Sequence, residues 1–232
     1  MIRLFTGVGG SSKSYHTAKL IKGCLLEKKN VIANIPINID FVRKPYSYFK
    51  GRIKGYRHEI GDFFYAANSR MTPEMLIAYS DLYHKRDRKG NMIEGQTVVV
   101  IDECQLLFDP KVVKADRPKW VRFFCLHRHY GFDMILITQH NRLIDRQIRE
   151  QCSEEVKHRL TNHNGWIGKL LPFKLYSATT VWNGRAVGAE FYVLNKKIFK
   201  IYDSYTEYDH KDMMISDTQY RKYLNYFAEM RT

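Results

Sequence analysis

The sequence predicts an α/β fold: a mostly parallel central sheet flanked by helices, closed at its C-terminal end by an antiparallel meander. Three observations predict it. A short apolar run, Ile2 to Thr6, leads at once into glycines, an amphipathic stretch and a second apolar run from Val31 to Ile35, which together make a βαβ unit. Two later runs, Thr97 to Ile101 and Met134 to Thr138, are apolar almost throughout, as strands covered on both faces are. From Phe173 the period shifts towards two around an Asn183-Gly184 turn, the pattern of a hairpin.

Each element follows from local pattern. Tyr15 to Glu27 places Ala18, Leu20, Ile21, Leu25 and Leu26 on one stripe, so a helix follows the glycines and ends at Lys28-Lys29-Asn30. Pro36 stops the second strand. Residues 41–64 are rich in Tyr, Phe, Lys and Arg, punctuated by Gly51, Gly55 and Gly61, and read as an irregular or hairpin excursion. Thr72-Pro73-Glu74 is a helix start, with Thr72 as N-cap, Pro73 at the first helical position and an acid in the first turn; that helix runs to about Lys85. Pro118 to His129 and residues 143–159 carry helical spacing. Lys174 to Trp182, Val187 to Leu194 and Lys197 to Tyr202 form the meander, and a further helix is expected over Thr218 to Met230. One domain over residues 1–205 and a polar, Tyr-rich tail over 206–232 account for the length.

Composition narrows the partners. Lys plus Arg (38) exceed Asp plus Glu (24) by 14, a surplus that draws nucleic acid, nucleotides or an anionic membrane face, or serves solubility alone. Cys24, Cys104, Cys125 and Cys152 are far apart and form no CxxC pair, which argues against a zinc site or a disulfide framework and for reduced thiols. Ile2-Arg3-Leu4-Phe5 lacks the long apolar core of a signal peptide. No stretch approaches the ~20 apolar residues of a membrane helix.

The chemistry-bearing residues lie at strand ends. Gly7-Val8-Gly9-Gly10-Ser11-Ser12-Lys13-Ser14 sits between a strand and a helix, the setting of a phosphate-binding loop, whose backbone N–H groups and helix N-terminus cradle phosphate. Gly7, Gly9 and Gly10 free the backbone, Lys13 reaches the β- and γ-phosphates, and the Ser14 hydroxyl can ligate Mg2+. With Ser11, Ser12 and Tyr15 these are the candidate nucleotide-binding residues. The pattern GxxxxGK[ST] wants glycine at position 12, and Ser12 is expected to crowd the loop or restrict its φ. Val98 to Ile101 then ends in Asp102-Glu103, the form of a Walker B strand: Asp102 can hold the Mg2+ shell and Glu103 can polarise the attacking water. Gln139, at the tip of the Ile135-Leu136-Ile137-Thr138 strand, suits a γ-phosphate sensor. A P-loop NTPase that binds ATP with Mg2+ is the reading these residues carry together. An arginine supplied by a neighbouring subunit is also expected, with Arg128, Arg142, Arg146, Arg149 and Arg159 as candidates and Arg149 preferred.

Between Arg43 and Arg57 the chain carries Arg43, Lys44, Lys50, Arg52, Lys54 and Arg57 with no acid, interleaved with Tyr46, Tyr48, Phe49 and Tyr56. Cations with stacking aromatics suit single-stranded nucleic acid. A basic edge hairpin and a surface facing anionic lipid fit the same residues.

Four stretches in this order resemble the zonula occludens toxin (Zot) family: Leu4 to Ser14, Asn34-Ile35-Pro36, Ile101-Asp102-Glu103-Cys104-Gln105, and His127-Arg128-His129-Tyr130-Gly131-Phe132-Asp133 leading to Thr138-Gln139. The resemblance covers roughly residues 1–205. It implies a RecA-like core of the FtsK/HerA branch that works as a ring of identical subunits, a hexamer among the expected sizes. It implies the assembly ATPase of filamentous phages, placed in the host bacterial cytoplasm at the inner membrane and continued by a membrane helix that does not occur before Thr232. Its partners would be coat and other assembly proteins, and single-stranded DNA through Arg43, Lys50, Arg52, Lys54 and Arg57. The function expected is an ATP-hydrolysing motor that extrudes virions. The alternatives are a DNA-packaging or conjugative-transfer ATPase, and a nucleotide-binding adaptor with little hydrolysis.

Overall fold

Strand β1 (Ile2–Thr6) lies inside the sheet because its residues are apolar on both sides: Ile2 and Leu4 enter one core, Phe5 the other. The same alternation places Val99 and Ile101 of β4 (Thr97–Ile101) against one layer and Val98 and Val100 against the other. The computed structural model describes residues 1–43, 59–161 and 173–201. Within them one eight-stranded sheet runs β3-β2-β4-β5-β1-β6-β7-β8, where β2 is Asn30–Ala33, β3 Phe63–Tyr65, β5 Phe132–Ile137, β6 Glu154–Leu160, β7 Leu175–Trp182 and β8 Arg185–Val193.

Pairing is parallel from β3 through β6 and antiparallel for β6–β7 and β7–β8. One face packs on helices α3 (Pro73–Tyr83) and α5 (Arg117–Leu126) through Leu76, Tyr79, Trp120, Phe123 and Phe124. The other packs on α1 (Lys13–Leu26) through Ile21 and Leu25. Short helices α2 (Ile39–Arg43), α4 (Gln105–Phe108), α6 (Arg146–Arg149) and α7 (Lys196–Phe199) join these parts. Thr72 caps α3 as its sequence predicts, its hydroxyl accepting from the Met75 N–H at 3.2 Å. Asn183 (φ +47°) and Gly184 (φ +76°) make the hairpin turn between β7 and β8.

Two expectations are corrected. Residues 143–159 are not one helix: after α6 the chain extends as β6, which pairs Phe5 with Val156 and Thr6 with Lys157 along β1. Within β6, Val156 and His158 alternate inward between charged residues, a period of two that a single apolar residue signals poorly. Lys197 to Tyr202 is not a third meander strand. The Asn195 side chain accepts from the Lys197 N–H at 2.9 Å and starts α7. The third strand of the meander is β6 instead. The basic excursion is described only at its ends, α2 and residues 59–64, so Lys50, Arg52, Lys54 and Arg57 lie outside the described residues, as does the expected helix at 218–230. Among the described residues no helix is long and apolar enough to cross a membrane.

Candidate nucleotide-binding site

Strands β1, β4 and β5 run parallel, so their C-terminal ends fall on one edge of the sheet and their loops meet there. β5 lies between the glycine-loop strand and the acid strand. Backbone bonds lace the three ends together. The Gly7 N–H donates to Gln139 O (3.2 Å), the Thr138 N–H to Phe5 O (3.0 Å) and the Cys104 N–H to Ile137 O (2.8 Å). The fold thus brings together the glycine loop, the acid pair and Thr138-Gln139, which the sequence holds far apart.

The loop itself is shaped for a close approach. At Gly7 (φ +150°) a Cβ would stand 2.5 Å from the His158 carbonyl oxygen and 2.5 Å from Ser11 Oγ, so no residue with a side chain fits. Val8, Gly9 and Gly10 are exposed at the loop tip. Ser11 Oγ is buried without a hydrogen-bond partner among the described residues, a polar atom left for something the loop receives. Ser12 occupies the left-handed region (φ +72°, ψ 21°) where the motif wants glycine, so the loop keeps a glycine-like path.

Lys13 opens α1. Its ammonium folds back to donate to Gly7 O (2.6 Å) and Val8 O (3.3 Å), across the mouth of the loop. Burial lowers its pKa, and the nearby carboxylates of Glu103 and then Asp102 pull it back up. Cation and acid pair therefore share one electrostatic site. Ser14 is half-buried one residue further along α1.

The acid pair is held through its backbone. Asn34, at the end of β2, accepts from the Asp102 N–H (2.7 Å) and donates to Asp102 O (2.8 Å) and to Asn68 Oδ1 (2.7 Å). The next residue, Glu103, is forced to φ +45°, an outlier of the kind that concentrates at functional positions. Its N–H donates to Asp102 Oδ1 (2.9 Å), and its carboxylate accepts from the Gln105 amide. Sequence reading gave Asn34 no role; only the β2–β4 pairing aligns it with Asp102. Replacing Asn34 with alanine strands part-buried groups of Asp102, so kcat is expected to fall about 10-fold with KM within about 3-fold of wild type, in a steady-state phosphate-release assay.

The other candidates are placed as follows. Gln139 is exposed beside the loop and lines a groove of about 490 Å³ with Gly7, Glu155, Lys157 and Arg159. Lys157 and Arg159, two residues apart on β6, aim cations at that groove, a signal hidden in a segment that reads as helix. Arg149 on α6 donates to Asn141 O at 3.3 Å, so within its own chain it braces the loop after Gln139. Tyr15 is buried, its ring stacked on Tyr192 and its hydroxyl accepting from the Asn195 N–H, so it packs behind the loop.

Under the loop lies a histidine pair. His158 Nδ1 faces the carbonyls of Thr6 (3.3 Å) and Val156 (3.1 Å), so it carries the proton and its Nε2 accepts from His16 Nδ1 at 2.8 Å. Glu190, Lys19, Arg3 and Lys13 are the charged groups around the pair. Burial first pushes His16 down to about 4; burial and then His16 push His158 down to about 4. Protons taken up only by the unfolded chain below pH 6.5 favour unfolding, so stability present above that pH is lost as pH falls towards 4. Urea midpoints are expected to drop steadily from pH 7 to 4.5, and His16→Gln, which keeps a donor to His158, is expected to flatten the slope.

The donor set fits a magnesium nucleotide: a glycine cradle, one ammonium, one hydroxyl at Ser14 and one carboxylate at Asp102. Such oxygen donors leave room for the phosphates and waters that Mg2+ retains.

The family described as Zonular occludens toxin (Zot) matches residues 1–209. A search of the curated proteins finds no match. Among solved structures, the N-terminal domain of zonular occludens toxin from Neisseria meningitidis matches with TM-score 0.50 and 15% identity, over 87% of this chain and 98% of that domain. An ATPase domain matches with TM-score 0.50 and 12% identity, over 87% of this chain and 84% of its own. A looser likeness, TM-score 0.42 at 20% identity over 82% of this chain and 96% of that one, is to the DNA-packaging ATPase B204 from Sulfolobus Turreted Icosahedral Virus. At these identities the solved structures establish the fold, that of a P-loop ATPase.

Proposed function

The chain belongs to the zonular occludens toxin (Zot) family, and on that footing we propose that it is an ATP-hydrolysing motor for assembly and extrusion of a filamentous phage. The observation that carries the enzymatic part is the convergence of Lys13, Asp102 and Glu103 on one sheet edge, where burial lowers the pKa of Lys13 and the two acids oppose that shift. Gly7 to Ser12 would wrap the phosphates with main-chain N–H groups and Lys13 would take their charge. Ser14 and Asp102 would hold Mg2+, which supplies neutralisation of the charge developing between the β- and γ-phosphates. Glu103, held by Gln105 at a strained φ, would orient and polarise the attacking water, and Gln139 would report the γ-phosphate from the tip of β5.

In a ring of identical subunits the next copy would supply a further cation to such a site, from the half-buried Arg149 or from an exposed arginine. The setting proposed is the cytoplasmic face of the host inner membrane. Coat proteins are the partners, and single-stranded DNA is met through the basic segment that includes Arg43, Lys50, Arg52, Lys54 and Arg57. The family resemblance and the +14 net charge support this part.

The test uses the full-length protein. In host cells carrying the phage genome with this gene deleted, the wild-type protein supplied in trans is expected to restore virion release, and Lys13→Ala to fail. Release restored by Lys13→Ala would sink the motor reading. In purified form, ATP hydrolysis strongly stimulated by naked single-stranded DNA without coat protein would turn the reading towards a DNA-packaging or conjugative-transfer ATPase.

A further inference from the structure

Ser12 is a conformational problem that the rest of the chain solves. A residue with a Cβ is disfavoured at φ +72°, ψ 21°, in the left-handed region that glycine enters freely. The Ser12 hydroxyl donates to the neighbouring Ser11 carbonyl, so its only proton is committed. Its oxygen lies 2.8 Å from the hydroxyl of Tyr192 on β8, and Tyr192 must then be the donor. The Tyr192 ring is wedged: Tyr15 stacks on it at 5.7 Å between centroids and 15° between planes, and Tyr176 at 6.2 Å and 17°. Burial pushes the Tyr192 phenol up to about 12, so its proton stays in place at neutral pH.

We propose that Tyr192 is a positioning residue of the phosphate loop, holding Ser12 in the path that a glycine would take unaided. The chain of bonds runs from the Tyr192 O–H to Ser12 Oγ and from the Ser12 O–H to the Ser11 carbonyl. It ties the outermost strand of the sheet to the turn that enters α1. The aromatic stack of Tyr15, Tyr176 and Tyr192 gives the anchor its rigidity. Tyr192 touches no reacting atom; it acts through Ser12. This rests on the reading of Gly7 to Ser14 as an ATP site.

The experiment is a double-mutant cycle on ATP affinity, with Mg-ATP as ligand. Tyr192→Phe keeps the ring stack and removes only the hydroxyl, and is expected to weaken ATP binding about 3- to 10-fold. In a Ser12→Gly background the same change is expected to alter affinity less than about 2-fold, because glycine needs no anchor. In the nucleotide-free protein, Tyr192→Phe is also expected to speed amide exchange at residues 11–13, with the melting temperature nearly unchanged. An equal loss in both backgrounds, or no loss in either, overturns the proposal. Failure of the ATP-site reading looks different: wild type and Lys13→Ala then bind ATP alike, and the anchor proposal falls with it.

Discussion

Lys13→Ala is expected to weaken ATP binding by at least about 100-fold and to bring phosphate release down to background. The ammonium lies across the mouth of the loop, with Gly7 O and Val8 O as its present acceptors among the described residues. Both acceptors are loop carbonyls, so the alanine variant leaves no buried partner in the core and should fold. Truncating one member of a hydrogen-bonded charge pair commonly costs 2–5 kcal/mol, about 30- to several-thousand-fold in affinity. Removal of Lys13 also leaves Asp102 and Glu103 without the cation they pull upon, which raises the repulsion met by an incoming polyphosphate. Isothermal titration with a non-hydrolysable ATP analogue measures the effect. Affinities equal within about 3-fold would exclude Lys13 as the phosphate ligand.

Glu103→Gln is expected to separate binding from chemistry. The amide keeps the side chain's size and its place beside Gln105, but it cannot accept a proton from water. Loss of a general base lowers turnover about 10²- to 10⁴-fold, while Asp102 and Lys13 still hold the nucleotide, so affinity stays within about 3-fold of wild type. The variant should therefore retain bound ATP through gel filtration where wild type returns ADP. A variant that turns over at wild-type rate would move the base role to another group, Glu155 being the next carboxylate along the sheet edge, bonded to Thr6 at 2.7 Å.

Much of this arrangement is legible in the sequence because it is local. The βαβ start, the β4 run ending in Asp102-Glu103, the Thr72 cap and the Asn183-Gly184 turn are each encoded within a few residues, and the structure places each where its pattern predicts. What escaped notice is set by distant partners. β6 is a strand because β1 and β7 flank it. Its own sequence also places Ile144, Ile148, Cys152 and Val156 four residues apart, a helical spacing that spans a loop, a short helix and a strand. Asn34 lies in a family-like stretch but its role is not local, and Tyr192 carries no motif; one is aligned with Asp102 by strand pairing and the other meets Ser12 across 180 residues. The expected crowding at Ser12 resolves in the same way. The serine adopts the left-handed path, and the hydroxyl that glycine lacks is the group that finds an anchor.

The strand order also sets a timetable. β1 precedes the other strands of this sheet in the sequence, yet both of its neighbours come late: Ile2 pairs with Met134 and Arg3 with Glu154. At ~5–20 residues per second on the ribosome, an apolar strand of the sheet interior waits roughly 7–26 s for the first of these neighbours. The glycine loop stays unformed for as long, since its ties to Gln139 and His158 are made by the same late segments. Nascent chains stalled before β5 are therefore expected to expose β1 to chaperones and to lack any nucleotide site, and folding should be slow for a chain of this size because its central pairings are so distant in sequence.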